Sequence, residues 1–520
     1  MKPRRLAPAG LLVLIALSLP AAAPAYIGPG AGFAFLSSFV FVLGAGLAAF
    51  FLLLTLPLRL LIKALRRKKR GKARVERLIV LGLDGFDPVL AREFMEKGTL
   101  TNLSELAAAG TFSALATSNP PISPVAWSSF MTGANPGKHN IFDFLRRDPR
   151  SYLPSLSSAE ISVGRGKPVM KLLRKSVPFW KVLGDHGVDS IVLKVPITFP
   201  PEKFAGLSLS GLCAPDLKGS QGTFALYTTA EIAGRKLTSG YAVKLAGKGP
   251  AYASAISGPP HPARPKESLT IPLSIRVDRK RSKVELKAGT AELLLAPGEF
   301  SDWLRLSFPA GRFARVHGIA HFFLKSVEPE LELYLSPLNI EPEQPALHVS
   351  HPLPYWVYLA KVFGPFATLG LPHDTWALNE GALTDGAFLE QTWKIHEQLE
   401  RIFFHSLSQL RRGLLCCVFD TSDVIQHEFW RYRGKDRDAL EKDPIAEMYR
   451  RCDGLVGRVR RKIGPRDLLF VVSDHGFKLF RRGVNLNTWL HRNGSLALSN
   501  GSGGSGEWFA GVDWTRTRAY

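Results

Sequence analysis

Four short, mostly apolar runs, each leading into a polar or charged residue or a proline, constrain this chain more than any other feature. They are Leu78 to Leu83, Ser190 to Val195, Leu414 to Phe419 and Leu468 to Val472. Runs this short, without polar alternation, fit strands covered on both faces. Between them, apolar residues recur at helical spacing over Pro88 to Lys97, Leu100 to Ala109, Asp385 to Leu410 and Ile445 to Ile463. Strands alternating with helices predict an α/β fold: a mostly parallel sheet sandwiched by helices. With 520 residues, 46% of them hydrophobic, the chain can bury a large core.

The stretch from 226 to 370 reads differently. It is rich in Pro and Gly and alternates in character over Ile275 to Leu286 and Leu331 to Leu335, the mark of a β-rich insertion. It divides the α/β domain into a first part, 73–225, and a second part, 371–520. The basic residues Arg279, Lys280, Arg281 and Lys283 within it read as a solvated face. Ser499 to Gly506 reads as a Gly/Ser-rich loop, and Thr517-Arg518-Ala519-Tyr520 has none of the character of a terminus. The second part is therefore expected to be truncated at its C-terminal end.

The N-terminal end predicts a membrane attachment. Lys2, Arg4 and Arg5 precede an apolar run from Leu11 to Ala25 that closes on Ala23-Pro24-Ala25, so 1–25 reads as a signal peptide or first membrane helix. The uncharged run from Ile27 to Leu58 exceeds the ~20 residues a spanning helix needs. Arg66, Arg67, Lys68, Lys69, Arg70 and Lys72 follow it, so 26–72 reads as a transmembrane helix with a basic juxtamembrane stop. Whether or not the first segment is cleaved, positive charge stays inside, which places the remainder on the cytoplasmic side of a bacterial inner membrane. This cluster accounts for part of the net charge of +23. No stacking aromatics are interleaved with it and no nucleic-acid fold signature is present, so nucleic acid is not the expected partner. Cys213, Cys416, Cys417 and Cys452 have no metal-type spacing and read as buried thiols, with Cys416 and Cys417 on opposite faces of one strand.

Ligands of an open parallel sheet gather beyond the carboxyl ends of its strands. Asp84 stands directly after the first run, with Gly85 behind it. Asp474 and His475 follow the last run, ahead of Gly476. Asp423 follows the third, four residues before His427, so a helix there puts both side chains on one face. Carboxylate oxygen with imidazole nitrogen suits zinc, manganese or iron. Taken singly, each residue fits a helix cap, a turn or a surface pair; their joint placement at strand ends favours a metal site. Ser123-Pro124 opens a helix expected to end near Gly133, with Ser123 as its N-cap. A serine there faces free backbone N–H groups suited to a phosphate. Beside a metal, its hydroxyl can attack phosphorus.

These segments together resemble the alkaline phosphatase superfamily, in particular its type I phosphodiesterase/nucleotide pyrophosphatase branch. The resemblance rests on Leu83-Asp84-Gly85-Phe86, Ser123-Pro124 with Thr132-Gly133, Pro136-Gly137-Lys138-His139, Asp423 with His427, and Ser473-Asp474-His475-Gly476. It covers the α/β part from about residue 76 to 490 without the insertion. It implies two divalent metal ions, zinc or alternatively manganese. Asp84, Asp474 and His475 would hold one and Asp423 and His427 the other, with Ser123 between them as nucleophile. The family's further C-terminal histidine has no match here, since His491 stands in a different setting. Nor does the family's phosphate-holding asparagine, whose place Phe144 takes beside Asp143, so nucleotide specificity does not follow. The implied function is a phosphoester hydrolase acting on a small molecule or a lipid headgroup. Transfer of a phospho-headgroup to a lipid or glycan, and a catalytically weak membrane-anchored binding module, are the alternatives. Metal content and acceptor dependence separate them.

Overall fold

A computed structural model describes residues 74–520 apart from 165–166, 233–236, 248, 313, 434–442, 500–503 and 505–508. The signal segment, the apolar run and the basic cluster lie outside the described residues. Among those described, no helix is long and apolar enough to cross a membrane.

The central sheet has six strands: β1 (Arg77–Leu83), β2 (Ser190–Leu193), β3 (Gly206–Leu209), β4 (Ser350–His351), β5 (Gly413–Phe419) and β6 (Asp467–Val472). Their spatial order is β4-β3-β2-β5-β1-β6. All neighbours are parallel except the two-residue β4, which pairs antiparallel with β3. The register sets Leu83 opposite Phe419 and Gly82 opposite Val472, so the chain leaves β1, β5 and β6 at one level.

The side-chain period of two sorts each strand between two cores. Ile79, Leu81 and Leu83 join Leu415, Cys417 and Phe419 beneath helices α1 (Pro88–Glu96), α2 (Thr101–Ala109), α5 (Asp385–Gln409), α6 (Thr421–Phe429) and α7 (Pro444–Arg460). Val80, Cys416 and Val418 pack on the opposite face against α3 (Ser123–Thr132) and α4 (Phe179–Asp185). The two adjacent cysteines do point to opposite faces, and all four are buried free thiols. Burial pushes Cys416 up to about 12, so it is an inert filler of the core.

Two expectations need correction. The run at Leu468 to Val472 is not buried on both faces. It is the edge strand β6, and Leu468 and Phe470 are exposed. Ser123 is not the N-cap of α3 but its first residue, and Ile122 occupies the cap position.

Between Phe224 and Ile340 the chain forms three further sheets. Ala251–His261, Arg264–Asp278, Lys283–Ala288 and Ala291–Leu295 make a four-stranded antiparallel meander whose middle strands alternate buried and exposed. A five-stranded and a three-stranded sheet complete the region. Downstream, β4 rejoins the central sheet and Pro354–Phe363 is helical, so the added sheets end at Ile340, before residue 370.

Candidate active site

Three parallel strands deliver their chain ends to one point. Asp84 follows β1, Asp420 follows β5 and begins α6, and Asp474-His475 follows β6. The turn after β1 must be tight because α6 presses on it. Gly85 has a φ of +64°, and a Cβ there would meet Asp423 Oδ1 at 2.9 Å and its Cα at 3.2 Å. Glycine is required on both counts. Helix α6 is held by two side chains that reach back to this turn. Ser422 Oγ donates to the Asp84 carbonyl at 2.6 Å and Gln426 Nε2 to the Gly85 carbonyl at 2.8 Å.

Asp84, Asp423 and His475 each offer a ligand atom within 4.8 Å of the others. Asp474 Oδ2 lies 3.5 Å from His475 Nε2, and His427 Nε2 lies 3.5 Å from Asp423 Oδ1. Asp423 therefore sits between the two implied ligand sets, 3.8 Å from His475 as well. Ser123 Oγ donates to Asp84 Oδ1 at 3.0 Å and stands 3.1 Å from His475 Nε2. All six sequence-predicted residues come together. His491 is not in this group: its Nδ1 bonds the Leu496 carbonyl at the end of its own short helix.

The electrostatics of the cluster are unbalanced. Burial, reinforced by the Asp474 and Asp423 carboxylates, raises the Asp84 carboxyl well above its ordinary range, despite the donor Trp127. Burial also raises Asp474. The Asp423 carboxylate raises His427 in turn. Among the described residues, Asp423 Oδ1 and Asp474 Oδ2, both buried, accept no well-formed hydrogen bond, although the His427 and His475 imidazoles stand 3.5 Å away. Orphaned carboxylate oxygens this close to like charges are costly unless a cation satisfies them. The residues present thus fit a divalent metal of the oxygen- and nitrogen-binding kind. The cluster opens toward solvent on one side, where the His427 side chain is 61% exposed against 5% for Asp84.

Several supporting residues were not anticipated. Trp127 Nε1 donates to Asp84 Oδ2 at 2.8 Å. Its spacing of four from Ser123 on one helix was the available signal. Gly82 makes room for this indole, since a Cβ there would approach Trp127 Cη2 to 2.6 Å. Asp474 is fixed by the Gly85 N–H, which donates to its Oδ1 at 3.1 Å, and its carbonyl accepts from Thr117 Oγ1. His139, of the Pro-Gly-Lys-His segment, is fully buried and pairs its Nε2 with Ser129 Oγ of α3 at 3.0 Å, a structural contact. Phe144 is partly exposed, and its N–H donates to the Asp143 carboxylate beside it.

Residues 78–221 and 307–515 match the family described as type I phosphodiesterase/nucleotide pyrophosphatase, which takes in more than half of the chain. The unmatched interval falls within the region of added sheets. No curated protein matches the chain.

Proposed function

The chain belongs to the type I phosphodiesterase/nucleotide pyrophosphatase family and is a hydrolase of phosphoester bonds, and on that premise we propose that it works through Ser123 as nucleophile beside divalent metal ions. The observation that carries this reading is the contact of Ser123 Oγ with both Asp84 and His475, inside a cluster whose orphaned carboxylate oxygens call for a cation.

Asp84, Asp474 and His475 would hold one ion and Asp423 and His427 a second, zinc or alternatively manganese. Bound there, the ions would supply Lewis-acid stabilisation of charge on the phosphoryl and leaving oxygens. The chain's own residues supply the rest. Ser123 Oγ passes its proton to the Asp84 carboxylate, whose Oδ1 already accepts its hydrogen bond, and forms a bond to phosphorus. The phosphorus–oxygen bond to the leaving group breaks, and that oxygen keeps the electron pair. Water then cleaves the phosphoseryl bond and restores the hydroxyl. Trp127 and the Gly85 N–H keep the Asp84 and Asp474 carboxylates oriented throughout. The substrate is a phosphoester small molecule; the alternative of a lipid headgroup draws on the apolar N-terminal run alone.

Chelation tests this reading. Hydrolysis of bis(p-nitrophenyl) phosphate should vanish with EDTA and return with Zn2+ or Mn2+; full activity after exhaustive chelation would contradict it. The pH sense is fixed by Asp84, whose folded-state proton affinity exceeds the unfolded one. The metal-free fold is then favoured when that carboxyl is protonated and loses stability as pH rises through its raised value. A dication relieves this, so the gain in Tm on adding Zn2+ should be larger near about pH 8 than near about pH 5.

We also place the domain on the cytoplasmic side of the membrane, on the strength of the basic cluster at Arg66 to Lys72. Reporters fused after Lys72 should be active only in the form that works in the cytoplasm. Activity of a periplasmic reporter there would refute the placement.

A further inference from the structure

Asp420 stands at the junction of β5 and α6, three residues before Asp423, and the cluster does not use it. It occupies the N-cap position of α6, where an aspartate normally accepts from the first helical N–H groups. Here its side chain makes no cap hydrogen bond. Instead Asp420 Oδ1 lies 3.2 Å from Nε2 of His373, whose side chain is 1% exposed. The other ring nitrogen of His373 is buried and, among the described residues, without a partner, so Asp420 is the one polar contact of its ring there.

Lys194 completes the arrangement. It leaves the end of β2 with a φ of +55°, a backbone state that L-residues rarely adopt. Its Nζ donates to the carbonyls of Ala367 and Leu369, each at 3.3 Å. Lys194 and Asp420 line one small cavity of about 30 Å³ between them. Burial lowers the ammonium to about 8 while Asp420 opposes that shift. Burial acts to raise Asp420, but His373 and Lys194 outweigh it and hold this carboxyl below its ordinary range.

A fourth carboxylate is a poor neighbour for this cluster, because its charge adds to those that raise Asp84. Its use lies in what it fastens. The first turn of α6 is pinned at three successive residues to three different places. Asp420 is held by His373, with Lys194 lining the same small cavity, Thr421 Oγ1 pairs with His396 Nδ1 of α5 at 3.2 Å, and Ser422 binds the Asp84 carbonyl. The next residue is Asp423.

We propose that Lys194 and His373, acting through Asp420, are positioning residues that fix the first turn of α6 and so set where Asp423 meets Asp84 and His475. This rests on the metal-dependent reading of the site. Groups that orient a metal's direct ligands typically alter affinity by about 10- to 100-fold.

The test measures Zn2+ affinity of the full-length chain by competition with a chromophoric chelator, with the fold followed by circular dichroism. Asp420→Asn and Lys194→Met should each weaken Zn2+ by about 10- to 100-fold, with the secondary structure retained. The double variant should be no weaker than Asp420→Asn alone, because the lysine acts through the aspartate. Should Lys194→Met fail to fold, Lys194→Gln keeps a donor toward the Ala367 and Leu369 carbonyls and takes its place. Affinities within about two-fold of the parent, or losses that add in the double variant, overturn the proposal. A parent chain that binds no Zn2+ overturns the proposed function itself, and this inference with it.

Discussion

Asp423→Ala and His427→Ala are each expected to reduce metal affinity by more than about 100-fold, beyond the usual effect of an outer supporting group, and turnover with it. The fold should survive both changes. Asp423 and His427 belong to neither hydrophobic core, and the His427 side chain is mostly exposed. Removing Asp423 also takes away one of the like charges that raise Asp84. The metal-free Asp423→Ala chain should therefore unfold at a temperature no lower than the metal-free parent. Metal analysis beside thermal unfolding checks both halves. Unchanged metal content in both variants would remove these residues from the site.

Ser123→Ala should show the opposite division. Its hydroxyl makes two contacts, to Asp84 and His475, and neither is needed to keep those side chains in place. Asp84 retains Trp127, and His475 retains the Gly476 carbonyl. Metal affinity should thus change little while turnover falls on the order of 10³-fold or more, the signature of a lost covalent nucleophile. KM should move far less than kcat, because the hydroxyl stabilises the transition state more than it binds the ground state. Ser123→Thr keeps a hydroxyl at the same helix start and should retain part of the activity. Kinetics and metal content measured on the same preparations separate this outcome from general damage to the site.

Local pattern carried most of what the sequence made legible. The strands at Arg77–Leu83 and Gly413–Phe419 are short apolar runs buried on both faces, and the residues that follow them form the cluster because all the strands involved are parallel. The Asp423–His427 pair needed only the helical period. What local pattern could not supply was order in space. The Asp467–Val472 run reads like its neighbours, yet Leu468 and Phe470 are exposed because the strand lies at the edge of the sheet. Ser123 read as a cap because Pro124 follows it, whereas the helix begins one residue earlier than that spacing implies. The Lys194–Asp420–His373 group joins residues from three separate parts of the chain and leaves no trace in any short window.

The central claim is that Ser123 Oγ becomes bonded to phosphorus during turnover. The most direct measurement is acid quench of the full-length, metal-loaded enzyme while it consumes a phosphoester, followed by mass spectrometry of its peptides. A phosphoryl group on the peptide bearing Ser123, absent from Ser123→Ala and from chelated enzyme, is the result predicted here. Near-parental turnover by Ser123→Ala, with no phosphoryl group trapped on the parent chain, would contradict it and leave Ser123 as no more than the first residue of its helix.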